Sequence, residues 1–155
     1  MRTLVLAAMT AAALFASPAV AMDNAEVGRV LKETGLIGVW SPNCADIQNH
    51  DWEIIGADAS GQFQSMTGGD DYNATYDIVS VRRLDHRDVE LKFRDAEAPD
   101  TDEPMTLVYR VEADRQMTWS SISAEGEPLI TAGQFEGGPG SSEWYLRCPH
   151  GRPTP

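Results

Sequence analysis

The chain is short of positive charge, cysteine and histidine, and it lacks the residue spacings that mark most catalytic and metal-binding sequences. Only 12 lysines and arginines stand against 24 aspartates and glutamates. A surface so poor in cations cannot neutralise a row of phosphates, which argues against nucleic acid and anionic lipid as partners. The three histidines, His50, His86 and His150, fall in expected loops or the C-terminal tail, and no H-x-H or H-E-x-x-H spacing joins them. Ser120, Ser121, Ser141 and Ser142 have no G-x-S-x-G elbow around them. His86-Arg87-Asp88 has the letters of a kinase catalytic loop and none of its context. The acidic run Asp95, Glu97, Asp100, Asp102 and Glu103 departs from EF-hand spacing, because Pro99 occupies the ligand region and no glycine marks the turn. It reads as a solvated loop that keeps strand edges from aggregating. Asp70 and Asp71, after Gly68-Gly69, read as a hairpin turn. No catalytic residue, metal site or cofactor is therefore assigned, and the chain is expected to be non-enzymatic.

Long hydrophobic runs are equally scarce. One extends from Leu4 to Phe15, behind Met1-Arg2 and ahead of Ser17-Pro18, Ala19 and Ala21. A positive start, an apolar middle and small residues in A-x-A register are the features of a cleavable secretory signal, here residues 1–21. The run is shorter than the roughly 20 residues a spanning helix needs, and no second one follows. Met22, next after the cut, is not the cysteine whose thiol a lipoprotein anchor would use. Cleavage leaves 134 residues, the size of one domain, with 11 − 24 = −13 net charges. The expected organisation is a single folded domain over 22–150, with a flexible polar, proline-rich tail at 151–155. The destination is periplasmic or secreted, with no membrane contact after cleavage.

In an exported chain the two cysteines, Cys44 and Cys148, are expected to pair, closing a loop of 148 − 44 + 1 = 105 residues. Their spacing is far from CxxC, and no second ligand cluster accompanies them as a zinc site would require.

One convincing helix opens the domain. Asp23 and Glu26 form a capping-box-like start, Val27, Val30 and Leu31 share a face, and Gly35 stands where the helix should stop. From Leu36 onward the apolar period becomes two. Strands are expected over Ile37–Ser41, Trp52–Ile55, Gln62–Thr67, Ala74–Leu84, Val89–Phe93, Met105–Val111, around Met117 and Trp119, Leu129–Phe135, and Trp144–Cys148. Their short turns leave no room for crossover helices, so the fold class is mainly β, an antiparallel up-and-down meander of about 8–9 strands. Such a meander closes into a barrel or folds over as a β-sandwich. A disulfide from the end of the first strand to the last requires Cα atoms within about 7 Å, which favours closure. Glu90, Lys92, Arg94, Arg110 and Glu112 occupy the face opposite the core, unlike the lipid-facing strands of an outer-membrane barrel.

Gly38-Val39-Trp40 at the first strand, after a short helix, together with Arg147 on the last strand, resembles the lipocalin and wider calycin pattern. The resemblance implies a small exported barrel in which Arg147 packs over Trp40 and closes the base. The family's T-D-Y loop motif and C-terminal helix are missing. Aromatic residues are plentiful, and Tyr109, Trp119, Tyr76 and Phe93 are the candidates to line a pocket. The same rings could instead fill the core. Two functions stay open: a carrier of a small apolar or amphipathic molecule, or a module that binds a basic protein, such as an inhibitor of an exported enzyme, through its acidic loops. If Cys44 and Cys148 are paired, thiol titration of the denatured, unreduced protein will find none; two free thiols would contradict the pairing. Breaking the bridge should lower the unfolding free energy by about 4 kcal/mol.

Overall fold

A computed structural model describes residues 22–69, 72–99 and 102–149; residues 1–21, where the signal is expected, Asp70 and Asp71, Asp100, His150 and residues 151–155 lie outside the described residues. Helix α1 spans Asn24–Thr34. Asp23 Oδ1 accepts from the Glu26 N–H at 2.8 Å, satisfying one of the free donors of the first turn, and Gly35 ends the helix in the left-handed region. Arg29 links Glu26 and Glu33 on the solvent face, while Val27 and Leu31 are completely buried. Gly28 permits the close approach on the inner face: a Cβ there would lie 2.6 Å from the Phe63 ring.

Ten strands follow: β1 Gly38–Ser41, β2 Trp52–Ala57, β3 Phe63–Gly68, β4 Asn73–Arg83, β5 Asp88–Asp95, β6 Met105–Glu112, β7 Arg115–Ile122, β8 Pro128–Thr131, β9 Gln134–Phe135 and β10 Tyr145–Arg147. Each pairs antiparallel with the next through β9, and β10 pairs with both β7 and β1. Strands β1 to β7 and β10 thus form a closed eight-stranded barrel, and the sandwich alternative is set aside. The expected single strand Leu129–Phe135 is corrected to a hairpin. Ala132 and Gly133, at φ 50° and 78°, make a two-residue turn with both central residues left-handed, as tight hairpins require. This β8–β9 hairpin branches from the second half of β7, which frees the first half to receive β10.

Inside, the alternating positions of β2 to β6 carry Ile55, Ile78, Val81, Leu91, Phe93 and Tyr109, continuous with Val27, Leu31 and Leu36. A register shift in β4 between Ile78 and Ser80 turns both Ile78 and Val81 inward. Outside, cross-strand pairs such as Arg82–Glu90 and Arg87–Glu112 face solvent. On β10 the apolar series Trp144, Leu146 and Cys148 occupies the outer face: Leu146 is exposed, Arg115 stacks over Trp144 at 4.3 Å, and Tyr145 is the residue that turns toward the interior.

The helix covers one end of the barrel, where Asn24 bonds Gln62 and Arg83 bonds the Glu33 carbonyl. Trp40, fully buried, donates from Nε1 to the Leu36 carbonyl at 2.9 Å. The Arg147 guanidinium lies 4.7 Å from the Trp40 ring and also donates to the Gly35 carbonyl. Cys44 and Cys148 are bonded, with Cα atoms 5.3 Å apart, across the β1–β10 seam. Among the described residues no helix is long and apolar enough to cross a membrane.

Arg147→Ala removes a cation–π contact at the seam and should lower the unfolding free energy by about 1 kcal/mol while changing tryptophan emission. An unchanged melting curve and spectrum would show that Arg147 contributes nothing to closure.

Candidate functional site

The end of the barrel opposite the helix is not filled. Two cavities lie there, of about 440 Å³ and about 590 Å³. The larger sits beside the β5–β6 loop and is lined by Tyr76, Phe93, Met105 and polar residues, including Asp95 at the end of β5 and Asp102 and Glu125 in loops. The smaller reaches into the barrel between β2, β7 and β10, and it is roofed by the β8–β9 hairpin and the segment Ser141–Glu143. Its floor holds the most unusual group in the molecule.

That group is Glu53. Period-two alternation in β2 gives Glu53 the same inward direction as Ile55, and only 5% of its surface is exposed. Its partners come from three other strands. Ser65 Oγ of β3 and Tyr109 Oη of β6 donate to Oε1 at 2.7 and 2.6 Å, and Gln116 Nε2 of β7 donates to Oε2 at 2.7 Å. Glu53 takes part in none of the ion pairs among the described residues. A buried carboxylate without a counter-charge is costly to ionise. Burial accordingly pushes the Glu53 carboxyl above the ordinary 4.5, and the hydrogen bonds from Tyr109, Ser65 and Gln116 oppose that rise without cancelling it. Tyr109, also buried and bonded to Glu53, is held well above the ordinary tyrosine value. The cluster therefore presents a polar floor whose charge depends on what is brought to it.

The sequence candidates divide. Tyr109 lies at this floor and lines the smaller cavity. Tyr76 and Phe93 line the larger one; Tyr76–Phe93 and Phe93–Tyr109 are edge-to-face pairs at 6.3 Å, so the three rings form one row across the interior. Trp119 is placed elsewhere. The register shift between Val108 and Tyr109 leaves it as the extra residue of β7, and its ring lies beneath the outward Arg110 at 3.5 Å, beside the Arg110–Asp88 ion pair. It lines neither cavity. Trp40 and Arg147 belong to the helix end, and the disulfide to the outer seam.

Ser141 and Ser142 line the smaller cavity, but among the described residues no histidine does. His50 meets Asn43 in the β1–β2 loop, and exposed His86 is near Asp85. Among the described residues, no three of His, Cys, Asp and Glu gather as a metal site would need. The residues missed in the sequence are Glu53 and Gln116. The signal available for Glu53 was its two-residue spacing from Ile55, which places a charge on the apolar face of a strand. Compared with protein families, curated proteins and solved structures, the chain matches none.

The Glu53 proton has a measurable consequence. Its folded-state pKa is raised, so the folded protein keeps a proton that the unfolded chain loses near pH 4.5. The stability drawn from neutral Glu53 is complete below that pH and is lost as the pH rises through the elevated value. Glu53→Gln cannot ionise. The wild-type unfolding free energy minus that of the variant should therefore fall from pH 4.5 upward in urea titrations, whereas a constant difference would contradict the burial argument.

Proposed function

We propose that the protein is an exported, lipocalin-like barrel that binds a small amphipathic molecule in the cavity above Glu53 and does not transform it. The observation that carries this reading is the cavity of about 440 Å³, open to solvent at one end and reaching a buried polar cluster at the other. That volume falls within the range of about 300–1,000 Å³ usual for small-molecule sites. Leu107, Met117, Ile130 and Phe135 supply apolar walls for the body of a ligand, while the Glu53 cluster offers hydrogen bonds to its polar end. A disulfide and an N-terminal stretch with the features of a secretory signal support export. The eight-stranded closure, the preceding helix and the Arg147–Trp40 stack support the lipocalin comparison.

A basic protein partner is the second reading. It is favoured by the exposed carboxylates of Asp95 at the end of β5 and of Glu97, Asp102 and Glu103 in the β5–β6 loop. Filling the cavity separates the two. Thr118 lines the interior wall, so Thr118→Trp should weaken uptake of a fluorescent amphipathic probe by at least about tenfold, equivalent to 1.4 kcal/mol. Undiminished uptake by the folded variant would refute the interior site.

A further inference from the structure

Beyond the existence of an interior site, its lining has one sign of charge. Asp51 and Glu143 stand exposed at the rim and Glu53 is buried at the floor, while among the described residues no lysine, arginine or histidine lines the cavity. We infer that this cavity takes an organic cation, a protonated amine carried on an aromatic or aliphatic body. The inference rests on the small-molecule reading and specifies the ligand's chemistry.

Three further observations bear on it. Gln116, only 1% exposed, directs Nε2 to Glu53 and leaves Oε1 without a partner in the cavity wall. The amide orientation follows from its hydrogen bonds. Against an ionised Glu53, the NH2 group must face the carboxylate, so the oxygen is free to accept from a ligand N–H. An ammonium headgroup would supply both what Glu53 lacks, a counter-charge, and what Gln116 lacks, a donor.

The second observation concerns the aromatic walls. Tyr72, Tyr109, Phe135 and Tyr145 line the cavity, and ring faces attract cations. This protein already uses that attraction: Trp40, Trp119 and Trp144 are each covered by an arginine.

Thirdly, the field is felt by the lining itself. Burial, followed by Asp51, Tyr72, Glu53 and Glu143, pushes the Tyr145 hydroxyl up, and burial with Asp51 does the same to Tyr72. An anionic ligand would meet this field unfavourably. A bare metal ion fits poorly as well, because no three potential ligands converge among the described residues.

Three probes of one shape test the inference by calorimetry on the folded, disulfide-bonded protein: 4-phenylbutylammonium, 4-phenylbutanol and 4-phenylbutanoate. The ammonium should bind at least about tenfold more tightly than the alcohol, and the carboxylate more weakly than either. Glu53→Gln should bring the affinities of the ammonium and the alcohol to within about twofold of each other, whatever it does to the alcohol's own affinity. If Glu53→Gln does not fold, Asp51→Asn with Glu143→Gln at the exposed rim should narrow the same gap. Equal binding of the three probes, or preference for the carboxylate, would overturn the cation assignment and leave the interior site standing. No binding of any probe would overturn both. A preference for the ammonium that survives the folded variants would place the cation elsewhere and overturn the assignment to this cavity.

Discussion

Three residues of β10 hold the barrel closed. Strand β10 lies between the first half of β7 and β1, with Tyr145 opposite Gln116 and Arg147 opposite Trp40. Without it, β1 and β7 would be open edges with unpaired backbone groups. So short a strand supplies few hydrogen bonds, and side chains on both surfaces add to them. The Cys44–Cys148 bridge ties the outer side of the seam, while Arg147 joins the Trp40 ring to the end of the helix. The β8–β9 hairpin belongs to the same constraint, because it draws the chain off β7 before β10 returns to fill the gap.

Closure at one end leaves the other free. Helix α1 and its buried Val27 and Leu31 complete the apolar core, which extends through Ile55, Ile78 and Leu91. Above the row formed by Tyr76, Phe93 and Tyr109, the interior changes character: Ser65, Glu53 and Gln116 replace aliphatic side chains, and the packing opens into cavities. A barrel needing only stability would be better served by apolar residues at these positions, since a buried carboxyl without a cation opposes folding once ionised. The polar floor is thus a departure from core chemistry at the place where solvent has access.

The arginines show a related division. Arg110, Arg115 and Arg147 each lie over a tryptophan. Arg110 and Arg115 are also paired to Asp88 and Glu112. In a chain with twice as many acidic as basic residues, this places much of the limited positive charge on structural duty. Among the described residues, the only charged groups left to the cavity lining are carboxylates.

The helix, the antiparallel order of the strands and the cysteine pairing were legible in the sequence because each depends on local pattern or simple counting. Asp23, Glu26 and Gly35 bracket one helix, alternation marks most strands, and two cysteines have one connectivity. The Leu129–Phe135 segment was misread because its apolar residues run through a turn made by Ala132, a residue that rarely adopts positive φ. Trp119 was assigned a pocket role from its strand's central position, but a bulge, invisible in composition, set its direction. Glu53 and Gln116 lie 63 residues apart, and nothing local announces that they meet. What the sequence alone determined about this protein is its alternation, its acidity and the ends that a disulfide could join. The tertiary structure decided which face of each strand looks inward and which distant polar groups share the interior, because register and bulges arise only when strands pair.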